Sequence, residues 1–200
     1  MAEDHLKPST YGVGYDTGKY GFKKTHQRIH TKVYSVWKDM IFRCYSEKAR
    51  DCYRDCTVDP KWHDFQEFAK WFTERYQEGF ELDKDILVNG NTVYSERTCC
   101  LVPKNLNLFK VHTKGKKYTG VVQNKHGSYT TYCNNGKGET INLGTRSDID
   151  SAFKLYKDYK ENLAKTLARD YKSIDGFDER VYKALIDFKL IDRQFLQIHQ

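Results

Sequence analysis

The stretch GVVQNKHGSYTTYCNNGKGETINLGT, residues 120–145, decides how the second half of the chain folds. Apolar and polar residues alternate along it, and two Gly-bearing segments interrupt it, HG at 126–127 and NNGKG at 134–138. Alternation with a period of two marks strands that bury one face, and the Gly segments supply turns. Three short strands are therefore predicted at 119–125, 128–134 and 139–143. Val121, Tyr129, Thr131, Cys133 and Leu143 fall on one face. Val122, Asn124, His126, Thr130, Tyr132, Asn134, Thr140 and Asn142 fall on the other. Downstream, Ser147 opens an S-x-x-D pattern with Asp150, which resembles a capping box. Ile149, Ala152, Phe153, Tyr156, Leu163 and Leu167 then recur at helical steps, and Val181, Leu185 and Phe188 mark a final helix. Residues 119–200 thus read as a three-stranded sheet backed by helix.

Upstream, Val33, Trp37, Met40, Ile41 and Cys44 put one apolar face on a helix over 31–46. Trp62, Phe65, Phe68, Trp71, Phe72 and Tyr76 follow the same spacing, and this aromatic stripe is read as core. Between the helices, Thr57–Val58 suits a short strand. Residues 81–87 read as a strand, VNGN at 88–91 as a tight turn, and 92–94 with 99–102 as a second strand. Pro103 suits the first turn of a short helix carrying Lys104, Asn105, Asn107 and Phe109. Residues 1–30 mix glycines with Tyr11, Tyr15, Tyr20, Lys19, Lys23 and Lys24, and read either as a flexible tail or as a basic arm lying on nucleic acid. The chain accordingly divides into an arm (1–30), an α+β domain (31–109), a basic linker (110–118) and the sheet domain (119–200).

Two hundred residues with a net charge of +7 and 14% aromatics exclude a disordered chain. No apolar run is long enough to cross a bilayer, and MAEDHLKPST lacks the apolar centre of a signal peptide, so a cytoplasmic protein with no membrane partner is expected. Six cysteines without a C-x-x-C pair read as buried thiols rather than a zinc site. The charge is concentrated: from Pro103 to Thr140 there are seven lysines and one acid, Glu139. Such a cluster suits a phosphate backbone, whose counterions it displaces. The candidate contacts are Lys110, Lys114, Lys116, Lys117 and Lys125, with Asn124, Tyr132, Asn134 and Asn142 on the polar sheet face. That face carries no Arg, the residue most often used to read guanine, so sequence readout is expected to be modest. Duplex DNA is the expected partner, with RNA or a protein as alternatives.

Three further segments, YSVWKDMIFRCYSEK (34–48), CTVDPKWHDFQEFAKWF (56–72) and LDKDILVNGNTVYSERTCCLVP (82–103), resemble phage-encoded HNH homing endonucleases. Residues 120–145 with the helix behind them resemble the small DNA-binding domain of plant ethylene-response factors. The resemblance implies an α+β fold with an HNH-like ββα-metal unit and flanking helices, followed by a three-stranded antiparallel sheet packed on a helix. It also implies Mg²⁺ or another divalent cation held by Asp83 and Asn107, and a host-cell cytoplasm as location. Lys84 stands where the family has its general-base His, and Thr98 where it has the Asn that orients the base and water. An ordinary lysine, with a pKa of about 10.4, is a poor base at neutral pH. Two functions therefore stand: a weak Mg-dependent DNA-nicking enzyme with a degenerate site, or a nuclease-dead nucleic-acid-binding or host-inhibitory phage protein.

Overall fold

In the computed structural model, α1 (Arg28–Tyr45) buries Val33, Trp37, Met40 and Ile41, the residues that step by threes and fours. The structure describes residues 7–24, 28–109 and 118–190. The chain divides into two compact units, Met1–Val102 and Pro103–Gln200; most of the expected linker, 110–117, lies outside the described residues.

In the first unit a 3-10 turn at Pro60–His63 leads into α2 (Phe65–Arg75), which buries Phe65, Phe68, Ala69, Trp71 and Phe72 and packs on α1. Trp62, Phe65, Phe68, Trp71 and Phe72 of the aromatic stripe are core, as the spacing predicts, although Trp62 sits in the 3-10 turn and Tyr76, just past the end of α2, is half-buried. Trp37 meets Phe65 edge to face, with ring centres 5.5 Å apart, and its indole N–H donates to the Trp62 carbonyl at 2.8 Å. Four short strands complete the unit: β1 (Thr57–Val58), β2 (Phe80–Asp83), β3 (Val93–Tyr94) and β4 (Cys100–Pro103). A turn does form at 88–91, where the Asn91 N–H donates to the Val88 carbonyl and Gly90 takes a φ of +75°. It does not join a hairpin. β3 pairs in parallel with β1, and β2 is hydrogen-bonded to β4. The strand expected over 81–87 stops at Asp83, because the Asp83 carboxylate accepts the backbone N–H groups of Asp85 and Ile86 and turns the chain.

The described part of the arm, residues 7–24, is docked rather than loose. The Tyr15 N–H donates to the His63 carbonyl, and the Phe65 N–H donates to the Tyr15 carbonyl. Asp64, which caps α2, also accepts from the Thr17 N–H and hydroxyl at 3.1 and 2.6 Å. The fully buried Gln66 clamps the arm further along: its Oε1 accepts from the Tyr20 and Phe22 N–H groups, and its Nε2 donates to Asp16 and the Phe22 carbonyl. Gly14 is required here, since a Cβ would come within 2.8 Å of the Trp37 ring.

The second unit begins with α3 (Lys104–Asn107), a single turn that Pro103 precedes rather than enters. Strands β5 (Val121–Gln123), β6 (Tyr129–Asn134) and β7 (Thr140–Arg146) form an antiparallel sheet in the order β5-β6-β7. The sheet packs on α4 (Ile149–Lys172), followed by α5 (Glu179–Ile186). Cys133, Phe153 and Tyr156 are buried together, with Val121 and Leu143 against them, and the Thr131 hydroxyl donates to the Ala152 carbonyl. The cap of α4 is Asp148, which accepts from the Ser151 N–H at 2.7 Å, so the expected Ser147 cap is displaced by one residue. Among the described residues no helix is long and apolar enough to cross a membrane.

Replacing Gln66 with Ala takes the partner from two arm N–H groups and the Phe22 carbonyl at a half-buried seam. The expected cost is about 2–4 kcal/mol. Urea unfolding measures it, and limited trypsin digestion should newly cut at Lys19, Lys23 or Lys24. Unchanged stability with an unchanged digestion pattern would contradict the clamp.

Candidate nucleic-acid interface

Because α4 buries one side of the sheet, the strand period presents the other side to solvent. Cross-strand pairing builds this face in rows. Val122 sits opposite Thr130, and Thr130 opposite Thr145; Tyr132 sits opposite Asn142, and Asn134 opposite Thr140. The Thr130 and Thr145 hydroxyls bond each other at 3.0 Å. Val122 and Tyr132 are 56% and 39% exposed. Asn134 and Asn142 each use Oδ1 to accept a backbone N–H two residues on, from Gly136 and Gly144, both at 2.8 Å. Their Nδ2 groups make no hydrogen bond among the described residues and remain as donors.

Two expected face residues lie elsewhere. β5 ends at Gln123, so Asn124 and His126 belong to the β5–β6 turn. There the Asn124 Oδ1 accepts from the Ser128 hydroxyl and the His126 N–H, which makes it a turn-former. Lys125 is exposed in that turn and Lys137 in the next. Lys110, Lys114, Lys116 and Lys117 lie outside the described residues. Sequence reading missed Thr145 and Arg146. Strand β7 carries a bulge, since Thr131 pairs with Gly144 while Tyr132 pairs with Asn142, and it runs on past the Gly that looked like its end.

The residues of the HNH-like segment occupy a different kind of place. Asp83 closes β2, and one carboxylate oxygen takes both N–H groups, at 2.8 and 2.7 Å. Lys84, with a side chain 11% exposed, bridges the loop that follows: its ammonium donates to Asp85 at 2.6 Å and to the Asn91 carbonyl at 2.8 Å. Asn91 returns the bond from Nδ2 to the Lys84 carbonyl. Burial works against the Lys84 charge, but the hydrogen bond and attraction of Asp85 outweigh it and hold its pKa above the ordinary lysine value. A proton acceptor at neutral pH is the opposite of this. The Thr98 hydroxyl donates to the Val93 carbonyl at 2.6 Å and bonds Ser95 at 2.8 Å, so it fastens the 95–98 turn. Asn107 belongs to the other compact unit.

One Asp83 oxygen, Oδ1, is shared between two N–H groups, and an ammonium sits on the neighbouring Asp85. Among the described residues no three His, Cys, Asp or Glu side chains are grouped to hold a metal ion. The cysteines agree with buried thiols at Cys56, Cys99, Cys100 and Cys133, while Cys44 is half-buried and Cys52 exposed. Burial pushes the Cys44 and Cys99 thiols up to about 12, so both are protonated and unreactive at neutral pH.

Burial raises the Asp83 carboxyl above its ordinary value of 3.8, against the pull of the Ile86 and Asp85 N–H groups. A raised carboxyl favours the folded chain most at acid pH, and that contribution is lost as pH climbs through the raised value. Asp83→Asn keeps the acceptor and removes the charge. It should hold or raise the melting temperature at pH 7 and flatten the acid-side pH dependence, whereas Asp83→Ala should cost about 1–3 kcal/mol. Equal destabilisation by both variants would contradict a turn-forming role.

In comparisons with known proteins no family model matches the chain, and neither a curated protein nor a solved structure does. The chain's own residues and their geometry therefore carry its functional reading.

Proposed function

We propose that the chain is a duplex-DNA-binding protein that works without phosphodiester hydrolysis, the second of the two functions the sequence leaves standing. The observation that carries this reading is the free face of β5–β6–β7. It is a surface of hydroxyls, amide donors and two exposed apolar side chains, set within a lysine-rich stretch. Residues 118–146 contain a single carboxylate, Glu139, and the Asn135 amide holds it at 2.7 Å. Three strands spaced by about 4.8 Å make a sheet about 10 Å across between its outer strands, which suits a major groove about 12 Å wide. The lysines supply affinity by releasing phosphate counterions, and the face sets register against the bases.

The HNH-like segment supports the same reading from the other side. Lys84 and Asp85 are tied to each other, and Thr98 is tied into a turn. The segment serves the first unit as a loop fastener. A Mg²⁺-dependent nicking activity would have to use the second Asp83 oxygen, Oδ1 being engaged by the Asp85 and Ile86 N–H groups, and a base other than Lys84.

Fluorescence anisotropy on a mixed-sequence duplex, repeated across a salt series, tests the proposal. Log affinity should fall linearly with log salt, and each phosphate contact removed should reduce the slope by about one unit. Lys125→Ala, Lys137→Ala and the combined Lys114, Lys116 and Lys117 to Ala variant should weaken all duplexes alike. A plasmid incubated with the protein and Mg²⁺ or Mn²⁺ should stay supercoiled. Nicking that disappears in Asp83→Ala would restore the enzyme reading, and salt-independent binding would overturn the electrostatic one.

A further inference from the structure

Resting on that reading of the sheet, we propose that β5–β6–β7 selects A·T-rich duplex DNA by seating thymine methyl groups against Val122 and Tyr132. The major groove offers one apolar feature, the C5-methyl, and thymine alone among the four bases carries it. The free face offers two large apolar side chains in contiguous rows, each more than a third exposed. In the row that starts at Val122, the hydroxyls of Thr130 and Thr145 bond one another, which leaves Val122 as its large apolar contact. The exposed Val122 and Tyr132 side chains carry a standing hydration cost, which a methyl-lined groove relieves.

The same face is badly equipped for guanine. Its outward residues include no Arg or Lys. Arg146, the one guanidinium in the three strands, pairs with Tyr129 at the end of the sheet and donates to the neighbouring Thr145 carbonyl at 2.9 Å. Asn142, in the Tyr132 row, is left to donate from Nδ2; adenine N7, thymine O4 and guanine N7 and O6 all accept in that groove, so this amide adds a contact without choosing between base pairs, and the choice rests on the methyl groups. Residues two apart on a strand step by about 6.6–6.8 Å, close to two base-pair rises of about 3.4 Å, so successive rows meet every second base pair. Charge complementarity points to DNA rather than to an apolar protein surface, since the surrounding turns carry Lys125 and Lys137 and the sheet stretch carries one held acid.

The test compares full-length protein on four duplexes of equal length and salt: A·T-rich, the same sequence with deoxyuridine for thymidine, G·C-rich, and an A-form RNA duplex. Removing the methyl groups should weaken binding about fourfold for each one seated. The G·C-rich and RNA duplexes should bind more weakly than the thymine duplex. Val122→Ala with Tyr132→Ser should lower thymine-duplex affinity to that of the uracil duplex and leave the uracil value unchanged. Both positions are exposed, and unchanged circular dichroism confirms that the variant folds. Equal affinity for thymine and uracil duplexes overturns the selectivity and leaves duplex binding intact. Preference for RNA overturns it as well, and failure to bind any duplex overturns both readings.

Discussion

The second unit is organised by what α4 covers. Phe153 and Tyr156 pack on Cys133, with Val121 and Leu143 alongside, and the Thr131 hydroxyl is spent on the Ala152 carbonyl. A strand has two faces and no third, so burying one commits every other residue to water. The close approach of sheet and helix shows at Gly120, where a Cβ would overlap the Tyr156 ring at 2.4 Å. A larger residue there would push the strand from the helix and unsettle the face opposite. The presentation of Val122, Thr130, Tyr132 and Asn142 is thus a consequence of core packing on the hidden side.

The first unit shows polar side chains used as fasteners. Asp64 and Gln66 hold the arm, Asp83 bends β2, and Lys84 with Asn91 laces the loop between β2 and β3. Each is buried or half-buried, and each meets the chain's own backbone donors or acceptors. His63 fits the same pattern: burial lowers its pKa, and its Nε2 lies between the Tyr45 hydroxyl and the Val58 carbonyl at 3.2 and 3.1 Å.

Periodicity carried most of what was legible in the sequence. The stripe on α1, the aromatics of α2 and the alternation of β6 each announced an element and its buried face, because burial and period are the same fact seen twice. What stayed hidden was pairing. Nothing in the composition of Val93–Tyr94 shows that it joins Thr57–Val58 in parallel instead of Phe80–Asp83 across the Asn-Gly turn. Local reach favours the hairpin, and tertiary packing chose the distant partner. The bulge in β7 was hidden for a related reason: one extra residue shifts the alternation, so Thr145 and Arg146 lay beyond an apparent end at Gly144. At the candidate site, residue types were visible but their commitments were not. Asn124 looks like a base-reading amide in the sequence and proves to be the hinge of a turn.

The docked arm has a consequence for the order in which the molecule assembles. Its partners on α2 lie 44 to 50 residues further along the chain. During synthesis residues 7–24 emerge well before Asp64 and Gln66 exist to receive them. Until then their N–H groups face water, and closing so long a loop is an entropic expense that local contacts do not offset. The arm can therefore be placed only after residues 63–66 have been made. A chain that ends before residue 63 would leave the Tyr15, Tyr20 and Phe22 N–H groups in water, with none of their acceptors yet made.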